Sequence, residues 1–161
     1  MDKNHNVSHK EYLHTDTQDP RLPVVQSLIN TLEEKGTIIA FNANFEKGVI
    51  KKMAKQFPQY ENELMNINER FWDQLVVFRK YYSDYRFKGS NGLKSILPVI
   101  IPGMDYSHLD VSDGSKAQVT WSNMIALSDS PEKEKLISQL LEYCKLDTYA
   151  MVKILEMLKS I

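Results

Sequence analysis

Three short segments of the sequence carry carboxylates that could bind a metal ion. Glu46 follows the apolar, β-branched run Thr37–Phe41 and begins a helical pattern, which is typical of a residue at the carboxyl edge of a sheet. Ligands of α/β proteins usually bind at that edge, and Mg²⁺ prefers oxygen ligands. The alternative interpretation is that Glu46 only complements the dipole of its helix.

The other two segments end in aspartates. Tyr143 and Asp147 are four positions apart, so a helix would place the phenol and the carboxylate on one face, within reach of a shared water or metal ion. Asp73 closes the short apolar segment Arg70–Asp73 and could line the same sheet edge as Glu46. The alternatives are a core role for Tyr143, and capping or surface roles for the two aspartates.

The elements that would position these residues alternate between strand and helix, which favours an α/β layer fold in one domain, 1–161. Strands are predicted at His9–His14, at Thr37–Phe41 and in a short segment ending at Asp73. Helices are predicted from Pro20 to about Lys35, after Asn42, at Gln59–Glu69, Gln74–Tyr82, Leu93–Leu97 and Ser115–Leu127, and from Ser130 to Ile161.

Composition restricts the function classes. A net charge of −1 means that any phosphate-binding surface must be local, and two groups of cations could form one: Lys47, Lys51, Lys52 and Lys55, and Arg79, Lys80, Arg86, Lys88 and Lys94. Solvated helix faces are the alternative interpretation of both groups. The lone Cys144 favours a reducing compartment, and no apolar run is long enough to cross a bilayer. We therefore expect a cytoplasmic protein without membrane contact.

The order of the motifs is more specific than any one of them. Asn42-x-x-Phe45-Glu46 after a strand, followed much later by Tyr143-x-x-x-Asp147, resembles the second and third motifs of the DEDD exonuclease superfamily, in its tyrosine-containing (DEDDy) branch. Further segments are similar to a bacterial domain-of-unknown-function family with a predicted DEDD nuclease core; they are His9–Leu13, Asp19–Arg21, Gly89–Lys94, Asp113–Ala117 and Tyr143–Thr148.

The resemblance implies a fold, a reaction and roles for individual residues. The fold would be ribonuclease H-like, with a mixed sheet flanked by helices, and the domain would hydrolyse phosphodiester bonds of DNA or RNA from a 3′ end with two Mg²⁺ or Mn²⁺ ions. Glu46 and Asp147 would bind metal, and Tyr143 would orient the attacking water. Asn42 would brace the loop behind Glu46. Substrate contacts would come from Asn42, Ser90 and Lys94, whereas Asp73 matches a family position without an assigned role.

The sequence departs from the pattern in its first motif, because no Asp-x-Glu occurs in the 161 residues. The expectation is an N-terminally truncated domain that is inactive as it stands, with sheet edges left uncovered and able to mediate self-association. Glu46 also replaces the more usual aspartate, and Gly92 replaces a serine. The alternative function is a catalytically dead ribonuclease H-like module that binds nucleic acid or a protein partner.

Overall fold

The structure, a computed structural model, describes residues 6–160, which form two compact units. The sheet unit comprises Asp19–Val99, and the terminal unit comprises 6–18 and 100–160 among the described residues. Helices dominate both units. Within the described residues, no helix is both long enough and apolar enough to span a membrane.

The sheet unit contains two short strands and a series of helices. In chain order these are α1 (Arg21–Leu32), β1 (Ile38–Ala40), α2 (Ala43–Gln56), α3 (Glu61–Glu69), β2 (Phe71–Asp73), α4 (Leu75–Lys80) and α5 (Leu93–Ile100), with 3₁₀ turns at Pro58–Tyr60 and Tyr85–Phe87.

The two strands are parallel and form a two-stranded sheet, with Ala40 opposite Asp73. The backbone N–H of Ile38 donates to the Arg70 carbonyl at 3.0 Å, and that of Gln74 donates to the Ala40 carbonyl at 2.9 Å. Parallel strands need a long crossover, which α2 and α3 provide. The carboxyl ends of β1 and β2 therefore lie side by side.

The core of the sheet unit forms where three helices meet. Val25 from α1, Ile50 and Ala54 from α2, and Leu64 and Ile67 from α3 are all buried in one cluster. Full burial of an aliphatic side chain of this size contributes about 1.5–3 kcal/mol. This cluster fixes α2 against the sheet, and α2 carries Glu46 in its first turn.

The terminal unit is built on two helices that pack together, α6 (Gly114–Ala126) and α7 (Pro131–Ser160). Asp113 caps α6 by accepting a hydrogen bond from the Lys116 backbone N–H at 2.9 Å. The N-terminal segment is tied to α6 because the Trp121 indole N–H donates to the His14 carbonyl at 2.9 Å.

The structure contradicts the predicted fold class. A ribonuclease H-like mixed sheet flanked by helices is wrong for the described residues, which contain only a two-stranded parallel sheet among seven α-helices. The strand predicted at His9–His14 is also wrong, because this segment has no regular secondary structure. A strand needs a hydrogen-bonding partner, and a locally favourable pattern cannot supply one.

The other predicted elements are found at similar positions. The strands predicted at Thr37–Phe41 and at Asp73 are β1 and β2, and the last helix, α7, runs to Ser160, with the predicted end at Ile161 outside the described residues. The first helix stops earlier than predicted, at Leu32, because Glu33 takes a positive φ of 49°. Arg70 then donates to the Leu32 and Glu33 carbonyls at this helix end.

Candidate functional site

Asp73 joins the ends of the two strands. Its Oδ1 accepts the backbone N–H of Asn42 at 2.9 Å and that of Leu75 at 3.0 Å. The first bond fixes the turn between β1 and α2, and the second satisfies an N–H in the first turn of α4. Asp73 therefore has a definite structural role, which is to hold the ends of the two strands together through these two hydrogen bonds.

Asn42 occupies the turn between β1 and α2 in a left-handed conformation, with φ 75° and ψ 53°. Asparagine tolerates this region better than most residues, which is a physical reason for its type here. Its backbone carbonyl accepts the Phe45 N–H at 3.1 Å. Asn42 thus shapes the turn that leads to Glu46 and lies at this edge.

Glu46 lies half-buried in the first turn of α2, at the edge that Asp73 also occupies. Its Oε2 is buried and makes no hydrogen bond within the described part of the chain. Burial raises the pKa of the Glu46 carboxyl, a backbone hydrogen bond at Glu46 offsets part of this effect, and the negative charge of Asp73 raises the pKa further. Two carboxylates therefore repel each other at one strand edge, with a free oxygen that could bind a cation.

An open cleft of about 470 Å³ lies beside this edge. Its lining residues come from the end of β1, from α4 and from the start of α5; they are Phe41, Asn42, Leu75, Arg79, Asn91, Gly92 and Leu93. The predicted substrate residues Ser90 and Lys94 are the chain neighbours of this lining. The Ser90 Oγ accepts from the Ser95 hydroxyl at 3.0 Å and from the Gly92 N–H at 3.3 Å, so it holds the turn before α5.

Tyr143 and Asp147 lie one turn apart on α7, in the terminal unit, as their spacing predicts. A third residue joins them: the Tyr106 hydroxyl donates to Asp147 Oδ1 at 2.5 Å, and the Tyr106 and Tyr143 ring centroids are 6.2 Å apart. Burial, then hydrogen bonding and charge from Asp147, raise the pKa of Tyr106. Burial and the charge of Asp147 raise the pKa of Tyr143 in the same way.

Both phenols therefore stay protonated at neutral pH. Each can donate a hydrogen bond, and neither can serve as a general base. A donating hydroxyl on Tyr143 is compatible with orienting a water molecule. Sequence reasoning missed Tyr106 because it is an isolated aromatic between the helices predicted at Leu93–Leu97 and Ser115–Leu127, 41 positions before Asp147. The signal that identifies Tyr106 is its burial, since it is only 6% exposed, and burial is not visible in the sequence.

The predicted site residues thus fall into two groups. Asn42, Glu46, Asp73, Ser90 and Lys94 belong to the sheet unit, and Tyr143 and Asp147 belong to the terminal unit. The expectation that Glu46 and Asp147 bind metal together stays a prediction. Among residues 6–160, no group of three or more histidine, cysteine, aspartate or glutamate side chains is placed to hold a metal ion.

Comparison with known proteins adds a family. The model of a domain of unknown function, DUF2779, matches residues 1–92, which is more than half of the chain. The match includes the sheet edge with Asn42, Glu46 and Asp73, and it ends before Tyr143 and Asp147. No curated protein and no solved structure matches the chain. The match supports the description as a domain of unknown function, whereas the predicted relationship to the DEDD exonucleases and the predicted nuclease core stay predictions.

Proposed function

The chain belongs to the DUF2779 family, and we propose that it supplies a metal-binding edge to a nuclease that hydrolyses phosphodiester bonds. The observation that carries the proposal is the pair of carboxylates at the ends of β1 and β2. Glu46 keeps a buried Oε2 without a hydrogen bond beside the charge of Asp73. A divalent cation would neutralise this repulsion and give the free oxygen a partner.

The donor set suits Mg²⁺ or Mn²⁺. Mg²⁺ keeps several waters and is usually held by one or two carboxylates together with substrate phosphates, so two acidic side chains at one edge are a sufficient protein contribution. Glu46 and Asp73 would hold the ion. Bound there, the ion would supply Lewis acidity toward a phosphate and a more acidic water. Asn42 would keep the edge in shape through its hydrogen bond to Asp73.

The adjacent cleft supports nucleic acid as the substrate. Arg79 lines it, and its side chain makes no hydrogen bond or ion pair with any described residue, so its guanidinium is free to contact a phosphate. Attack from a 3′ end, on DNA or RNA, is the polarity that the DEDD resemblance implies. We also propose that the protein acts in the cytoplasm, since its lone Cys144 suits a reducing compartment.

Asp147 and Tyr143 enter the proposal through the resemblance. By that resemblance, Asp147 would bind a metal ion within the terminal unit, and Tyr143 would donate a hydrogen bond to a water molecule. Their hydrogen-bonded cluster with Tyr106 keeps Asp147 in a fixed orientation within the terminal unit. This part of the proposal is independent of the Glu46–Asp73 pair, and Asp147→Asn tests it separately.

A second candidate is a module that binds nucleic acid without cleaving it. Two observations favour it: the sequence has no Asp-x-Glu pair, and the described residues contain no cluster of three metal ligands. In this alternative the cleft and Arg79 still bind nucleic acid, and no metal is required. It differs from the nuclease proposal in its response to Mn²⁺.

Metal binding and cleavage can be measured on the same samples. We expect Mn²⁺ titration followed by electron paramagnetic resonance to show binding that Glu46→Gln and Asp73→Asn each weaken at least about tenfold. Glu63→Gln, an exposed change on α3, is the matched control. Mn²⁺ binding that is the same in all four proteins would refute the metal site. Oligonucleotide binding by a protein that neither binds Mn²⁺ nor cleaves a 3′-labelled oligonucleotide would favour the second candidate.

A further inference from the structure

Five aromatic residues between positions 78 and 87 divide into a packed set and an exposed set. Phe78, Tyr82 and Phe87 pack together, with ring centroids 5.8, 6.1 and 6.2 Å apart in the three pairs. Tyr81 is 80% exposed and Tyr85 is 90% exposed. Tyr81 is adjacent to the packed Tyr82, and Tyr85 lies two positions before the packed Phe87, so the packed rings anchor the backbone from which the exposed rings project.

Local hydrogen bonds also fix this part of the backbone. The Asp84 side chain accepts the Arg86 N–H at 2.9 Å and caps the 3₁₀ turn Tyr85–Phe87. The Arg86 guanidinium forms an ion pair with the same carboxylate, at 2.6 Å. Because a fixed backbone loses little conformational entropy on binding, the exposed rings are suited to bind a ligand.

The same part of the chain is strongly basic. Positions 79–94 contain five lysines and arginines and a single acidic residue, although the whole chain has a net charge of −1. Asp84, the single acidic residue, forms its ion pair with Arg86. The side chains of Arg79, Lys80 and Lys88 make no ion pair or hydrogen bond with any described residue, so their charges are not neutralised by the protein. The segment thus combines free cations with free aromatic rings.

The segment 79–94 lies beside the candidate site. Arg79 belongs to this segment and also lines the cleft beside Asn42, as do Asn91, Gly92 and Leu93 near its other end. A polyanion bound along the segment would therefore have phosphates at the cleft. All of these residues belong to the sheet unit.

We propose that the segment 79–94 binds single-stranded nucleic acid, with Tyr81 and Tyr85 stacking on unpaired bases while Arg79, Lys80 and Lys88 contact phosphates. Aromatic rings stack on any base, and cations follow the backbone, which is how proteins bind single strands without sequence preference. A duplex buries the faces of its bases and would leave both rings unused. The inference rests on the proposed function for nucleic acid as the ligand, and it names the single strand as the substrate class.

Binding can be tested without metal, so that its result does not depend on catalysis. The probe is a fluorescein-labelled oligothymidylate of about 12 nucleotides, the length range of single-strand sites, measured by fluorescence anisotropy in EDTA. We expect Tyr81→Leu and Tyr85→Leu each to raise Kd about five- to tenfold, with more loss in the double variant. A duplex of the same length is expected to bind more weakly and to be insensitive to both changes.

Salt dependence separates the two kinds of contact. The Lys80→Gln, Lys88→Gln double variant should lower the slope of log Kd against log salt concentration by about 1.4, or about 0.7 for each lost phosphate contact. The tyrosine variants should keep the wild-type slope. Tyr149→Leu, which removes an exposed ring from α7 in the terminal unit, is the matched control and should leave Kd unchanged.

Three results would overturn the inference. They are the absence of oligonucleotide binding by the wild type, equal sensitivity of duplex and single-strand binding to the tyrosine changes, and an effect of Tyr149→Leu as large as theirs. Circular dichroism and thermal unfolding verify that the variants are folded. We expect them to be folded because the substituted side chains are exposed. A wild-type protein that binds the oligonucleotide but does not bind Mn²⁺ would contradict the metal site alone and leave this inference supported.

Discussion

Replacing Glu46 by glutamine is expected to stabilise the metal-free protein while removing its response to divalent cations. The Glu46 carboxylate is half-buried, has a buried Oε2 without a hydrogen bond and lies near the charge of Asp73. Glutamine has nearly the same shape and carries no charge. The folded protein therefore loses an unfavourable charge at the cost of a potential metal ligand.

The expected gain is modest because water reaches part of the side chain. A buried group without a partner costs about 1–3 kcal/mol and more when it is charged, but glutamine leaves a polar atom at the Oε2 position and Glu46 is partly exposed, so removing the charge should recover only about 0.5–1 kcal/mol. For a chain of this length the gain corresponds to a rise in Tm of about 1–4 °C. With Mn²⁺ at about ten times its Kd, the wild type gains about 1.4 kcal/mol and becomes the more stable protein.

The sign of the pH dependence follows from the raised pKa. Because folding raises the Glu46 pKa, ionisation is harder in the folded state, and the penalty is fully present above the folded pKa. The penalty disappears as the pH falls below the ordinary value of 4.5, where both states are protonated. The advantage of glutamine should therefore be largest at neutral pH and vanish in acid.

Urea unfolding followed by the fluorescence of Trp72 measures this effect within the sheet unit. A Trp121→Phe background removes the tryptophan of the terminal unit, and Trp72 lies on β2 next to Asp73. Glu63→Gln in the same background is the control and should change the free energy of unfolding by less than about 0.5 kcal/mol. A destabilised Glu46→Gln protein in EDTA, or equal stabilisation of wild type and variant by Mn²⁺, would refute the reasoning.

Three further predictions concern the other site residues and the sheet edge. Asp73→Ala should lower the free energy of unfolding in urea by about 1–2 kcal/mol, because two backbone N–H groups lose their acceptor. Asp73→Asn keeps an acceptor oxygen and should cost less, so an equal cost would contradict this role. Ultraviolet titration should show that some of the eight tyrosines ionise late, and Tyr106→Phe and Tyr143→Phe should each lower the number of late-ionising phenols. Because folding raises both pKa values, the free energy of unfolding should fall above about pH 10. A titration curve that is the same in wild type and both variants would be contrary evidence. Self-association through β1 should be weak. Backbone hydrogen-bonding groups alternate in direction along a strand, so that mainly those of Ile39 point away from β2 and are open to another chain. Light scattering that shows a stable dimer at micromolar concentration would contradict this prediction.

The sequence predicted local elements better than their assembly. The β-branched run around Ile38 and the apolar stripe of α2 are local signals, and both elements formed where they were expected. The ribonuclease H-like sheet was wrong because it was inferred from the order of motifs and not from strand pairing. The segment His9–His14 shows the same limit, since its pattern favours a strand but no neighbouring strand pairs with it among the described residues.

The residue types at the candidate site were determined by the sequence alone: an acid at the start of α2, an acid at the end of β2, and Tyr143 one helical turn before Asp147. Their surroundings were decided by tertiary structure. Parallel pairing of β1 with β2 brings Glu46 and Asp73 to one edge, although 27 positions separate them in the chain. Packing in the terminal unit brings the Tyr106 hydroxyl to Asp147. Burial and charge, which set the pKa of each group, depend on neighbours that are distant in sequence, so they arise only when the chain folds.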